Sequence, residues 1–197
     1  MCIRDRQNLF QNNLDYFGKD FVLNDLTHDG GLTAIRIEGP TNSVDQRANR
    51  LSKELGLLDQ ELSILDSEQS NIFWSRTKNL EVFKSLKSNL LRIVLPMSET
   101  LQVIQKLKNF EIKYFIDWGG GLIWASFDQL NTKILSEIKD TVKKHQGYIT
   151  LIKVEEDLKA SADIFTIDPI KYKISEKIKR SFDPKRIFNP GKMYTGI

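Results

Sequence analysis

A chain of 197 residues, 40% hydrophobic and 28% charged, carries enough apolar material for one domain with a sizeable core. Its formal charge of +3 is too small to argue for nucleic acid, and its single cysteine, Cys2, excludes an internal disulfide and any cysteine-cluster metal or iron–sulfur site. No apolar run approaches the length of a membrane span, and the N-terminus lacks the apolar core of a signal peptide.

Residues 1–31 read as a polar head or linker. Met1-Cys2-Ile3-Arg4-Asp5-Arg6 fits no element and suggests an artificial or truncated start, a short natural head being the alternative. Scattered aromatics (Phe10, Tyr16, Phe17, Phe21) lead to the turn cluster His28-Asp29-Gly30-Gly31. From Thr33 to Glu38 the pattern alternates, with Ile35 and Ile37 on one face, which predicts a half-buried strand ended by Gly39-Pro40. Ser43 and Gln46 have capping-box spacing, and Val44, Ala48, Leu51 and Leu55 follow at helical spacing up to a stop at Gly56. A short strand is expected near Glu61–Leu65. Asp66 or Ser67 then caps a helix bearing Ile72, Phe73, Leu80 and Phe83, on which Trp74 reads as core or interface.

From Leu90 onward the signals are clearer. Leu91, Ile93 and Leu95 form one strand face, and Pro96 ends the strand. Ser98 is placed to cap a helix bearing Leu101, Ile104 and Leu107. Tyr114, Ile116 and Trp118 predict the next strand, Gly119-Gly120-Gly121 a hairpin turn, and Ile123, Ala125 and Phe127 the return. A helix with Ile134, Ile138 and Val142 stops near Gly147, and Tyr148 to Val154 is a further strand. Residues 90–154 thus follow a β-α-β-β-α-β order, the ferredoxin-like split unit. The expected fold class is α+β, an antiparallel sheet with helices packed on one face, to which the earlier β-α-β adds strands.

Residues 155–169 read as a loop. Ile170, Ile174 and Ile178 lie four apart on a final helix whose other positions include Lys171, Lys173, Lys177, Lys179 and Arg180, giving an apolar stripe and a basic face. The chain then enters Ser181-Phe182-Asp183-Pro184-Lys185-Arg186-Ile187-Phe188-Asn189-Pro190-Gly191-Lys192-Met193. Its prolines forbid a continuing helix and push Asp183 and Asn189 towards extended geometry. Pro190-Gly191 is a turn dipeptide, and Ile187 and Phe188 are the expected apolar anchors. On these grounds alone the segment is a structural tail folded back on its own core.

The pattern Phe182-Asp183-Pro184-x-x-Ile187-Phe188-Asn189-Pro190-Gly191-Lys192 also resembles the C-terminal signature of FAD-linked oxidases of the vanillyl-alcohol oxidase type. Together with Ile35-Arg36-Ile37-Glu38-Gly39 and Asp117-Trp118-Gly119-Gly120-Gly121, it resembles the FAD-binding subunits of bacterial glycolate oxidases, over roughly 32–197. The resemblance implies that residues 32–197 are a C-terminal cap domain whose tail, 182–193, faces a flavin held mainly by an upstream domain. Asn189, Pro190, Gly191 and Lys192 would be the cofactor-binding residues. It further implies FAD-dependent oxidation of glycolate to glyoxylate, with a second FAD-linked subunit and an iron–sulfur subunit as partners. The location would be cytoplasmic, peripheral at the inner membrane through the complex. A non-catalytic subunit-interaction domain, or the cap of another FAD-dependent 2-hydroxy-acid oxidase, are the competing readings.

Nothing in the sequence marks a catalytic residue. The triple glycine has strand-like sequence on both sides, so it lacks the strand–glycine–helix context of a phosphate loop. His28 and His145 have no partner at ligand or acid–base spacing. Related 2-hydroxy-acid dehydrogenases carry a histidine-bearing metal stretch that has no counterpart here. Tyr148 stands after the glycine where other glycolate oxidase subunits of this kind often show histidine. The basic run from Lys171 to Lys192 reads as a solvated face or as an attraction for an anion such as a flavin pyrophosphate, or for an acidic partner.

Overall fold

The computed structural model describes residues 34–54, 64–84, 89–155, 158, 163–165, 168–191 and 194. The polar head 1–31 with His28, the helix stop at Leu55-Gly56 and residues 61–63 of the expected short strand lie outside the described residues. In chain order the elements are α1 (Thr41–Glu54), α2 (Ser67–Lys78), β1 (Asn89–Val94), α3 (Thr100–Leu107), β2 (Ile112–Asp117), β3 (Leu122–Phe127), α4 (Thr132–Lys144), β4 (Tyr148–Lys153) and α5 (Pro169–Phe182). The four strands form one sheet in the order β2-β3-β1-β4. The chain divides into two compact units, Met1–Leu86 with Lys113–Gly119, and Lys87–Ile112 with Gly120–Ile197.

In the first unit the alternating residues 34–38 are not a strand. Alternation can assign faces, but a strand also needs a ladder partner, and no pairing takes in these residues. Arg36 instead pairs with Glu38 at 2.7 Å, and Arg47 donates to the Glu38 carbonyl at 3.1 Å. Helix α1 begins at Thr41, directly after Gly39-Pro40, because the Ser43 and Val44 amides already donate to the Pro40 carbonyl. Ser43 is therefore inside the helix and does not cap it. At α2 the expected cap is present: Asp66 Oδ1 accepts from the Gln69 amide at 2.8 Å, and Gln69 Oε1 accepts from the Asp66 amide at 3.2 Å. The helix ends at Lys78. Leu80 takes a left-handed φ of 53°, and Phe83 falls in a short 3-10 turn, so neither continues the helical stripe. Trp74 is core: it is buried with Phe73 and Ala34, its ring edge-on to Phe73 at 4.8 Å, while Phe83 stacks on Phe115 at 5.6 Å.

In the second unit β1 pairs antiparallel with both β3 and β4. The register sets Leu91 opposite Ala125 and Leu151, and Ile93 opposite Ile123 and Ile149. With two-residue side-chain alternation this gathers Leu91, Ile93, Ile123, Ala125, Phe127, Ile149 and Leu151 on one buried face. Helices α3 and α4 add buried Val103, Ile104, Leu107, Leu135, Ile138 and Val142; they pack on each other, and α4 on β4. The fold is thus α+β, with an antiparallel sheet and helices as expected. The expected extra strands are absent among the described residues, where the sheet has four strands.

Three local expectations are corrected. Ser98 does not cap α3: a 3-10 turn, Met97–Glu99, precedes it, which rotates the buried face onto Val103, Ile104 and Leu107 and leaves Leu101 exposed. Trp118 lies beyond β2 with φ 56°, exposed in the turn and not on the strand face. Within 155–169, Phe165 bridges to Thr150, and the Ile164 carbonyl accepts from the Leu151 amide, so part of the expected loop follows β4.

Glycine 147 has a specific task. The α4 terminus is a Schellman turn in which Gln146 supplies the left-handed residue (φ 58°) and the Gly147 amide donates to the Val142 carbonyl at 2.8 Å. A Cβ at Gly147 would lie 2.7 Å from Val142 Cγ1 and 2.8 Å from the Val94 carbonyl oxygen. Close approach to β1, not a positive φ, demands glycine there.

Candidate functional site: the C-terminal loop

Helix α5 is started by Asp168, whose Oδ1 accepts from the Ile170 and Lys171 amides, with Pro169 in the first turn where its missing N–H costs nothing. Its half-buried side is Tyr172, Ser175, Glu176 and Lys179. The apolar stripe points the other way: Ile170, Ile174, Ile178 and Phe182 are all exposed, and no residue of the helix is buried.

At the end of α5 the chain is tied by one carboxylate. Asp183 is buried, and its two oxygens accept from the Ile187 and Phe188 amides, each at 2.9 Å. Lys179 Nζ sits 2.8 Å from Asp183 Oδ2 and also donates to the Phe188 carbonyl. The Asp183 carbonyl accepts from the Arg186 amide, closing a turn over Pro184-Lys185. The Lys179 hydrogen bond, followed by the two backbone amides, holds the Asp183 carboxyl down to about 2 despite the opposing effect of burial.

This changes how the motif is understood. Ile187 and Phe188 are not anchors: they are 66% and 68% exposed, and polar bonds to Asp183 fix their backbone instead. The apolar anchor is Tyr194, which is buried with its ring edge-on to Tyr172 at 6.1 Å and tilted to Phe165 at 6.0 Å. The loop is therefore pinned before and after, while residues 184–191 face outward.

Asn189 is not extended, as a residue before proline is expected to be, but left-handed with φ 45°. Asparagine is among the few side chains that tolerate this region. Gly191 follows with φ 69°, and a Cβ built on it would meet nothing within 4 Å. Glycine here answers to backbone conformation, not to crowding within the chain. Asn189, Pro190 and Gly191 are all exposed, and Lys192 lies outside the described residues.

The glycines after β2 run into strand β3 and not into a helix, so they form a turn and no phosphate cradle. Asp117 Oδ1 accepts from the Trp118 amide at 2.8 Å, a turn-stabilising role. Thr100 Oγ1 donates to the Gly120 carbonyl.

His145 is the residue whose surroundings the sequence concealed. It is buried at the C-cap of α4, with Nδ1 2.6 Å from Glu99 Oε2 and Nε2 3.0 Å from Lys106 Nζ. An ammonium only donates, so Nε2 accepts from Lys106 and Nδ1–H donates to Glu99. Glu99 is 46 residues away in sequence, a separation that spacing rules for motifs do not reach. The arrangement pins the start of α3 to the end of α4. Among the described residues no group of three or more His, Cys, Asp or Glu side chains could hold a metal ion, and no helix is long and apolar enough to cross a membrane.

Compared with family models, with curated proteins and with solved structures, the chain matches none.

Proposed function

We propose that this chain is the C-terminal part of the FAD-binding subunit of a glycolate oxidase complex, a cap domain supporting flavin-dependent oxidation of glycolate to glyoxylate. The observation that carries the reading is the terminal loop. A backbone fixed by Asp183 and Tyr194 presents exposed Asn189, Pro190 and Gly191, with left-handed geometry at Asn189 and Gly191. Non-glycine residues held at positive φ carry a conformational cost, and such residues cluster where a ligand is gripped.

The residues fit one wall of a flavin site and no more. Asn189 offers an amide that both donates and accepts, and Gly191 offers backbone with open space where a side chain would stand. Lys192 adds a cation for a cofactor anion. FAD, held mainly by an upstream domain, would supply the hydride chemistry; these residues would orient it and shield it from water. A second FAD-linked subunit and an iron–sulfur subunit would be its partners, with electrons passing from flavin towards the iron–sulfur subunit. The small 2-hydroxy acid would be bound at the complex. Flavin titration of the full-length subunit and its Asn189 variants tests the assignment.

A second reading is favoured by the outward stripe of α5: a subunit-interaction domain without chemistry of its own. It predicts that the terminal variants change assembly and leave flavin affinity alone.

A further inference from the structure

Glu99, His145 and Lys106 form a line that does more than pin α3 to α4. Glu99 stands just before α3, Lys106 lies in its last turn, and the His145 ring at the C-cap of α4 bonds to both. Burial and the Nδ1–H bond to Glu99 fix the ring, so Nε2 turns its lone pair to Lys106 Nζ at 3.0 Å. Lys106 is exposed, so its amine is open to reagents from solvent. A nucleophile, a base and a carboxylate that orients the base thus stand in order, the arrangement by which a weak nucleophile is activated.

We propose that Lys106 is a modification site that takes acyl groups from small thioesters, with His145 as its base and Glu99 as the positioning residue. The free amine is the reacting form, since an ammonium only donates. As Nζ adds to the thioester carbonyl it gains positive charge, and His145 Nε2 removes one of its protons. The Glu99 carboxylate stabilises the imidazolium so formed. The adduct then expels the thiolate, which takes the proton back from the imidazolium. One C–N bond forms and one C–S bond breaks, and the products are an amide and a thiol with no further reactant. The amide is uncharged, so the reaction removes one cation from the end of α3. The inference does not rest on the flavin reading.

The test is a time course of the full chain with a small uncharged acetyl thioester, N,S-diacetylcysteamine, read lysine by lysine by peptide mass spectrometry. Lys106 should acetylate at least about tenfold faster than Lys108, an exposed lysine two residues on that serves as reference within the same molecule. His145→Gln should bring Lys106 down to the rate of Lys108. Glu99→Gln, at a half-buried position, should lower the advantage several-fold while circular dichroism stays unchanged, which keeps the test open where the His145 variant folds poorly. An imidazole that merely holds the ammonium in place gives the opposite sign: Lys106 then reacts more slowly than Lys108 and speeds up in His145→Gln. That result, equal rates for the two lysines, or an advantage unchanged in either variant would overturn the inference.

Discussion

Lys179 and Asp183 face each other across one turn at the end of α5, Nζ 2.8 Å from Oδ2, with 16% and 7% of their side chains exposed. So little exposure limits screening by water, and the same carboxylate holds the Ile187 and Phe188 amides. One ion pair thus fixes the path of the terminal loop.

The pH dependence of the loop follows. The Asp183 carboxyl is lowered from 3.8 to about 2, first by the Lys179 hydrogen bond. A depressed carboxyl pKa adds stability above the unfolded value and loses it as pH falls through the folded one. Amide exchange at Ile187 and Phe188 should be slow at neutral pH and lose its protection between pH 3.8 and about 2. In Asp183→Ala these amides should lack protection at every pH. Protection in that variant equal to wild type would show that something other than Asp183 holds the loop.

The two glycines with opposite surroundings should respond oppositely to size. Gly147→Ala forces a Cβ against the Val94 carbonyl, where overpacking costs about 1–3 kcal/mol. Gly191→Ala meets no atom, so its cost is that of a left-handed alanine, about 1–2 kcal/mol, confined to a surface loop. Thermal melts should show a lower midpoint for Gly147→Ala, and Gly191→Ala should leave the global transition nearly unmoved. Equal global effects would contradict the packing described at Gly147.

The Glu99–His145–Lys106 arrangement predicts a tautomer. Nitrogen NMR should find neutral His145 with its proton on Nδ1, the ring nitrogen facing Glu99. His145→Ala should destabilise the fold by about 1–3 kcal/mol, since it empties a buried position and half-buried Glu99 loses its hydrogen-bond partner. A proton on Nε2 would refute the assignment.

The sheet was legible because its signals are local. Ile123, Ala125 and Phe127 alternate, Ile138 and Val142 keep helical spacing, and Asp66 stands three residues before Gln69; each feature lies within one short window. The misreadings concern what periodicity does not encode. Ile35 and Ile37 alternate, yet alternation cannot supply a neighbouring strand. Ile170, Ile174 and Ile178 announce an amphipathic helix, but spacing alone does not say which side meets the protein, and here the half-buried side is Tyr172, Ser175, Glu176 and Lys179. Ile187 and Phe188 were expected to anchor the tail from hydrophobicity; Tyr194, just past the motif, does so. Asn189 departs from the extended geometry expected before proline and takes a positive φ, which asparagine is among the few side chains to tolerate.

Cofactor retention offers a further check. A single wall leaves most polar groups of a flavin without partners, so this chain purified alone should fold and carry no FAD. Recovery of the isolated chain with stoichiometric yellow flavin would contradict that.

The most direct measurement is a flavin titration of the full-length subunit, wild type against Asn189→Gly, with melting curves recorded without flavin. Glycine keeps the left-handed backbone that Asn189 adopts, so this exchange removes the amide and little else. The account predicts a several-fold loss of flavin affinity, a contact worth about 0.5–1.5 kcal/mol, with a nearly unchanged melt. Lys192→Ala should act in the same direction, with a deficit that shrinks as salt rises. Unchanged flavin affinity in both variants would contradict the cofactor role given to Asn189, Pro190, Gly191 and Lys192.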